Sequence, residues 1–204
     1  TYDDRYVLTG SIRADQSNLF GTDPKYQWKP LWSVGASWLV SREEFMAGAA
    51  WLDRLTLRLT YGINGNVAKR NGPFMTIQDM GYSDWKQGFS SSVKTPPNPS
   101  LRWEKTAVTN VGVDFSVLQG RLAGSFDFYH RKSTDLLGDI KVDITTGWTT
   151  IQLNYGSLKN TGVELSLNSV NIRTDDFRWR THLNFSYNRN RIVELTNKTT
   201  TAWN

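Results

Sequence analysis

Seven stretches of this sequence alternate residue by residue between apolar and polar side chains. Successive residues of an extended strand point to opposite faces, so such alternation describes strands with one apolar and one polar face. The stretches run from Arg5 to Ala14, Trp32 to Val40, Asp53 to Ile63, Ala107 to Val117, Arg121 to Arg131, Val163 to Ser169 and Phe177 to Tyr187. On the apolar side they carry, in order, Tyr6, Leu8 and Ile12; Trp32, Val34, Ala36 and Trp38; Leu55 to Ile63 at every second place; Val111, Val113 and Phe115; Leu122, Phe126 and Phe128; Val163, Leu165 and Leu167; and Phe177, Trp179, Leu183, Phe185 and Tyr187. The opposite faces carry Arg13, Arg58, Asp114, Asp127, Arg131, Glu164, Arg178 and Arg180. Most stretches are near the roughly 9–11 residues with which a tilted strand crosses a bilayer.

The connections alternate in length. Asp15 to Leu31, Asn64 to Thr106 and Lys132 to Gly162 are long; Ser41 to Leu52, Leu118 to Gly120 and Val170 to Asp176 are short. Short turns on one side and long loops on the other are the layout of an outer-membrane barrel. Within the first short connection, Ser41-Arg42-Glu43-Glu44 reads as a capping box opening a short helix through about Trp51. Thr95-Pro96-Pro97-Asn98-Pro99 is expected to hold the longest loop extended.

Alternation alone also fits a soluble sandwich. The depth of the aromatics separates the two. With the short turns on the periplasmic side, Tyr6, Trp38, Phe115, Phe177 and Trp179 lie toward that end of their strands. Trp32, Tyr61, Phe128 and Tyr187 lie toward the other, with aliphatic residues between. Aromatic girdles around an aliphatic band mark a membrane barrel. So many charges on the inner faces would crowd a small lumen, which favours a larger barrel. The expected fold is therefore all-β, an antiparallel transmembrane β-barrel segment of about seven strands with long extracellular loops. A soluble carbohydrate-binding β-sandwich module and a passive porin remain as alternatives.

Little in the sequence suits catalysis. There is no cysteine, which excludes disulfides, thiolate zinc sites and thiol nucleophiles. His130 and His182 are far apart, and Asp3-Asp4 and Asp175-Asp176 read as solvated turn residues. Asn64-Gly65-Asn66 lacks the lysine of a phosphate-binding loop. No catalytic residue, metal site or cofactor is expected, and the chain is read as no enzyme. Its formal charge of +5 comes from residues dispersed along the chain, so nucleic acid is not an expected partner. The first residues, Thr1 to Arg5, have no leader character, which points to a mature segment or a piece of a longer chain.

A family resemblance follows from several stretches in order. They are Arg5-Tyr6-Val7-Leu8-Thr9; Pro30 to Trp38 leading into Ser41 to Met46; Leu57 to Gly62 with Asn64-Gly65-Asn66; and Pro97 to Glu104. Asn110 to Phe115, Phe128 to Leu137, Asn160 to Leu165 and Leu183 to Asn188 complete the set. Together the chain resembles the SusC/RagA group of TonB-dependent outer-membrane transporters, with Gln16 and Leu19 departing from the group's usual loop turn. The resemblance implies a plugged barrel of about 22 strands. It also implies energy through TonB, a SusD-like lipoprotein over the extracellular mouth, and import of oligosaccharides or peptides. On that reading residues 1–204 are a partial barrel in the cell outer membrane, surrounded by its lipid, with the plug domain and the barrel C-terminus absent.

Selectivity in such a protein belongs to loops and lumen. Trp85, Trp148, Tyr82 and Tyr155, in long connections, are candidates for stacking on sugar or touching a partner. Arg58 and Glu164 are candidates for the lumen wall. Each loop aromatic has an alternative role in packing the loops together.

Overall fold

In a computed structural model, which describes residues 1–17, 28–66 and 72–195, each alternating stretch forms a strand. The strands are β1 (Tyr6–Gln16), β2 (Trp28–Leu39), β3 (Leu52–Asn66), β4 (Thr76–Ser83), β5 (Gly88–Thr95), β6 (Glu104–Val117), β7 (Leu122–Lys141), β8 (Thr150–Arg173) and β9 (Arg178–Leu195). Seven of them make one sheet in the order β1-β2-β3-β6-β7-β8-β9, antiparallel throughout. Apart from the β4-β5 insertion, each strand pairs with the next in sequence, the order of an up-and-down wall. The sheet is open, an arc rather than a closed ring.

Register makes the faces continuous. Tyr6, Trp38, Leu57, Val113, Phe126, Leu165 and Phe185 stand in one cross-strand row. Two residues along each strand comes a second apolar row of Leu8, Ala36, Leu59, Val111, Phe128, Val163 and Tyr187. Between them, on the opposite face, lie Val7, Ser37, Arg58, Gly112, Asp127, Glu164 and Ser186. A slip of one residue on any strand would exchange these faces.

The apolar face is bare. Leu57, Val111 and Leu183 share it at 38–50% exposure, and among the described residues no second sheet covers it. The sandwich expectation required these residues to meet one another across a closed core; they line one outer surface instead. The buried apolar side chains among the described residues are Leu31, Val40, Leu101 and Trp103, at the margins of the wall and not at its middle. Such a sheet has half a core, and acyl chains are the apolar medium that completes it.

The apolar band slides across the rows. The row that begins with Ile12, Trp32 and Ile63 ends in Lys132, Lys159 and Arg191. The row of Leu55, Phe115, Gly124, Leu167 and Leu183 is apolar on the far side of the sheet, where β9 continues down to Trp179. Rows run perpendicular to strands, so a band that drifts along them belongs to strands tilted against the membrane normal, as barrel closure requires. The rims carry paired aromatics. Tyr6 stacks on Trp38 with ring centroids 6.3 Å apart, and Trp32 meets Tyr61 at 5.4 Å on the opposite rim.

The turn between β2 and β3 departs from expectation. Instead of a capped helix there are two single 3₁₀ turns, Val40–Arg42 and Glu44–Met46, and neither has a side-chain cap. Ser41 lies inside the first. The cause is Glu43, whose carboxylate accepts from the Tyr6 hydroxyl (2.6 Å), Trp38 Nε1 (2.9 Å) and Arg5 Nη1 (3.1 Å). Holding those three groups places Glu43 in extended backbone (φ −79°, ψ 148°), which breaks the helix between its two turns. The same bonds, first the Tyr6 hydroxyl and then the Trp38 ring N–H, hold the Glu43 carboxyl below its ordinary pKa.

The long side is more ordered than its composition suggests. The Asn64-to-Thr106 connection contains the β4-β5 hairpin, and β7 and β8 run on past the expected ends near Arg131 and Val163 to pair as far as Lys141 and Thr150. The remaining loop turns through a single 3₁₀ turn at Ile144–Thr146, where the Asp143 side chain accepts from the Thr145 N–H. Residues 97–104 form a strap along the extended β7-β8 pair. Asn98 donates to the Gln152 carbonyl, Arg102 Nε reaches Asp135 at 2.8 Å, and Glu104 accepts from the Leu137 N–H. Asn154 clasps the strap from both sides, accepting from Arg102 N–H and donating to the carbonyls of Arg102 and Asp135.

Two outcomes are expected of the full-length protein. Leu59→Arg or Val113→Arg is expected to cost about 2–4 kcal/mol near the bilayer midplane, against a much milder effect of Thr60→Arg or Ser116→Arg on the inner face. Reversible unfolding in lipid measures this, and equal costs on both faces would show the register to be wrong. Because the Glu43 carboxyl titrates lower when folded than when unfolded, its contribution is present at neutral pH and is lost as pH falls through the folded value. Glu43→Gln is therefore expected to flatten the acid limb of the stability curve; an unchanged acid limb would show that Glu43 does not carry it.

Candidate functional site

The inner face is where side chains can meet a solute, and its charged centre lies on β3, β6, β7 and β8. Arg58 of β3 reaches across β6. Its Nε donates to Asp114 Oδ2 at 2.7 Å and its Nη2 to Asp114 Oδ1 at 3.0 Å, a two-pronged pair. The same Nη2 also meets Asp127 of β7 at 3.1 and 3.2 Å. Gly112 lies under this bridge, in register between Arg58 and Asp127; a Cβ there would stand 2.6 Å from Asp127 Oδ1 and 2.8 Å from Arg58 Cζ. A bare backbone thus lets one guanidinium span two strands.

Glu164 is the next residue of that row, directly opposite Asp127, and it is exposed. It borders a shallow depression of about 230 Å³ with Ser125, Asp127, Ser166, Asn184 and Ser186. Two carboxylates hold the guanidinium and a third, Glu164, stands next in the row, so this part of the wall is formally anionic and rich in acceptors. Such a surface suits hydroxyl, amide or ammonium donors.

Toward the long-loop end the inner wall changes to amides and a phenol. The Tyr129 ring lies over Gly162, the Tyr129 hydroxyl accepts from Asn188 Nδ2 at 3.0 Å, and the Arg131 guanidinium sits 4.9 Å from the same ring centroid. Asn160 donates to both Asn188 and Asn190. Sequence reasoning passed over Tyr129, Asn160 and Asn188; their polar places in the alternation carried the signal. The two histidines lie on opposite faces. His130 pairs with Thr161 on the outer side and His182 with Asn168 on the inner. No group of three metal-ligating side chains occurs among the described residues.

The six expected contact residues fall in three places. Arg58 and Glu164 share the inner row. Tyr82 and Trp85 belong to the β4-β5 hairpin, where Tyr82 meets Phe89 edge-on at 5.6 Å and Trp85, at the turn, is 92% exposed. Trp148 lies half-buried in the β7-β8 loop. Tyr155 is within β8 and not in a loop, because β7 and β8 continue as a paired ribbon; its ring lies across Gly138 of β7.

Comparison with known proteins places this geometry. The family model described as TonB dependent receptor-like, beta-barrel matches residues 1–203. A TonB-dependent receptor of Formosa agariphila is 36% identical over 198 residues, covering 95% of this chain and 20% of that protein. The TonB-dependent receptor SusC of Bacteroides thetaiotaomicron is 35% identical over 200 residues, covering 94% and 20%. Among solved structures, the RagAB peptide importer in its "open-open" state superposes with a TM-score of 0.85 at 31% identity, covering 96% of this chain and 21% of that one. Its "closed-closed" state gives 0.84 at 31% identity, covering 95% and 21%. The chain thus spans about a fifth of the length of the relatives it matches.

The close approach at Gly162 yields a test of the inner wall. A Cβ there would lie 2.5 Å from the Tyr129 ring and 2.7 Å from the Tyr187 carbonyl oxygen. Gly162→Ala is expected to cost about 1–3 kcal/mol as an overpacked site. Adding Tyr129→Ala relieves the ring but not the carbonyl, so the double variant should recover only part. Full recovery, measured by unfolding in lipid, would show that the backbone contact does not matter.

Proposed function

This chain belongs to the TonB-dependent receptor-like β-barrel family, and from that membership we propose that it is barrel wall of an outer-membrane importer of oligosaccharides or peptides. The observation that carries the reading is the sorting of faces. An aliphatic band between aromatic rims looks outward and slides with strand tilt, while guanidinium, carboxylate and amide groups look inward. Lipid suits the first surface and a wet passage the second.

The rest of the reading draws on the relatives. Energy comes through TonB, a SusD-like lipoprotein closes the mouth, and a plug outside residues 1–204 fills the lumen; of these, the dependence on TonB is what the printed name of the TonB-dependent receptor SusC supports, and the printed name of the RagAB peptide importer supports the import of a solute. The wall binds and passes its solute without changing it. Arg58 and Glu164 are assigned to the lumen track. Trp85, Tyr82 and Trp148 are assigned to the outer mouth, where a rigid aromatic face can stack on a sugar ring or on the lipoprotein. Tyr155 joins them from the β8 wall.

Fractionation tests the first claim: full-length protein should pellet with outer membranes and need detergent for release, and recovery from the soluble fraction would overturn it. For the mouth, Trp85→Ala and Trp148→Ala are expected to assemble normally. They should then lose about 1 kcal/mol or more of solute binding, or else weaken lipoprotein association with solute binding intact. Variants that assemble, hold the lipoprotein and import at the normal rate would show these tryptophans to be loop packing.

A further inference from the structure

Two inner-wall charges on β7 and β8 stand without a counter-charge. At the centre Arg58, Asp114 and Asp127 are engaged with one another. Arg131 of β7 and Glu164 of β8 are exposed, and among the described residues neither takes part in an ion pair. Glu164 stands directly opposite Asp127, carboxylate facing carboxylate, an arrangement that like charges on adjacent strands disfavour. Arg131 is held over the Tyr129 ring, 4.9 Å from its centroid. A guanidinium so placed still has its N–H donors to offer, and it matches a carboxylate with two parallel bonds.

The two charges lie on one track. Arg131 pairs across to Asn160 and Asn190, and Glu164 pairs across to Ser186. The inner row between them holds Thr9, Gly35, Thr60, Asn110, Tyr129, Gly162 and Asn188, and none of these is charged. Four residues of strand separate the two charged rows, about 13–14 Å. The cation is nearer the long loops and the anion nearer the middle of the wall. Between them the Tyr129 hydroxyl and the amides of Asn160 and Asn188 can each give and take hydrogen bonds. An extended peptide advances about 3.3–3.6 Å per residue, so roughly four residues span the same gap.

From this spacing we infer that the β7-β8 wall selects a short zwitterionic peptide of about four residues and holds it in one direction. The terminal carboxylate lies on Arg131, the terminal ammonium on Glu164, and the backbone amides along Tyr129, Asn160 and Asn188. The inference rests on the importer reading above and deepens it, since that reading leaves oligosaccharide and peptide side by side. A solute against the wall strips water from both charges, and only a solute with both signs compensates both. A neutral oligosaccharide offers neither charge. An acidic one suits Arg131 but meets the carboxylates of Asp127 and Glu164 farther along the track.

The test titrates full-length protein in detergent with tetraalanine, its N-acetyl form, its C-terminal amide and maltotetraose. Blocking either end is expected to weaken binding to the wild type about tenfold. In Glu164→Gln the acetyl block should cost nothing further while the amide block still does; in Arg131→Gln the pattern should reverse. Arg131→Lys should keep the wild-type pattern. Heat-modified gel mobility confirms that each variant forms the barrel. A charge that only braces the wall or the plug would weaken blocked and free peptides alike, and that result would overturn the inference. So would maltotetraose binding as tightly as tetraalanine, equal binding of dialanine and octaalanine to that of tetraalanine, or no peptide binding at all. Failure of the outer-membrane reading shows separately, as full-length protein recovered without detergent.

Discussion

A strand in hydrocarbon can leave no backbone N–H or C=O unpaired, because nothing in the acyl region replaces the missing bond. The structure follows from that one demand. It forces each strand inside the sheet, β2, β3, β6, β7 and β8, to bond both neighbours, and pairing sets register. Register then decides which side chain meets lipid and which meets the lumen. The two apolar rows through Leu57 and Leu59 and the charged row through Arg58 are one decision seen from two sides. Packing contributes little at mid-sheet, where no second layer exists among the described residues. The wall is cohesive through its ladders and through the medium on its outer face.

Within that frame part of the inner wall's charge is fastened together at its centre. Arg58 ties β3 to both β6 and β7, so part of its charge is already used, while Glu164 stands beyond its reach in the same row. Of the three carboxylates here, Asp114 and Asp127 are engaged by Arg58, and Glu164 is left exposed. Exposed ion pairs of this kind add little stability, and their value here is in holding the acceptors in place.

The strand faces were legible in the sequence because a period of two is a local property. All seven stretches stand in the main sheet, with the Tyr6–Trp38 and Trp32–Tyr61 pairs toward opposite ends of β2. The failures were non-local. Ser41 and Glu44 make a sound capping signal, but Glu43 had partners on Tyr6, Trp38 and Arg5 that only the folded sheet brings near. The β4-β5 hairpin was lost because Ser90, Ser91 and Ser92 give no apolar alternation, and its register slips near Gly81. The strap at 97–104 is held by Asn154, more than fifty residues away in sequence, and no pattern of spacing announces such a clasp. Of the candidate site, Arg58 and Glu164 were found by polarity at an inward position. Their neighbours Tyr129 and Asn160 obeyed the same rule but carried no charge to draw notice.

The slide of the apolar band against the cross-strand rows has a geometric meaning for anything travelling inside. Rows are not circles of latitude; they climb the wall like the thread of a nut. Residues that share a row, such as Ser37, Arg58, Asp127 and Glu164, therefore sit at successively different depths. The polar groups of one row are thus laid out as a helical ramp on the inner face and not as a level ring. Its handedness is set by strand twist and not by the chemistry of any one side chain.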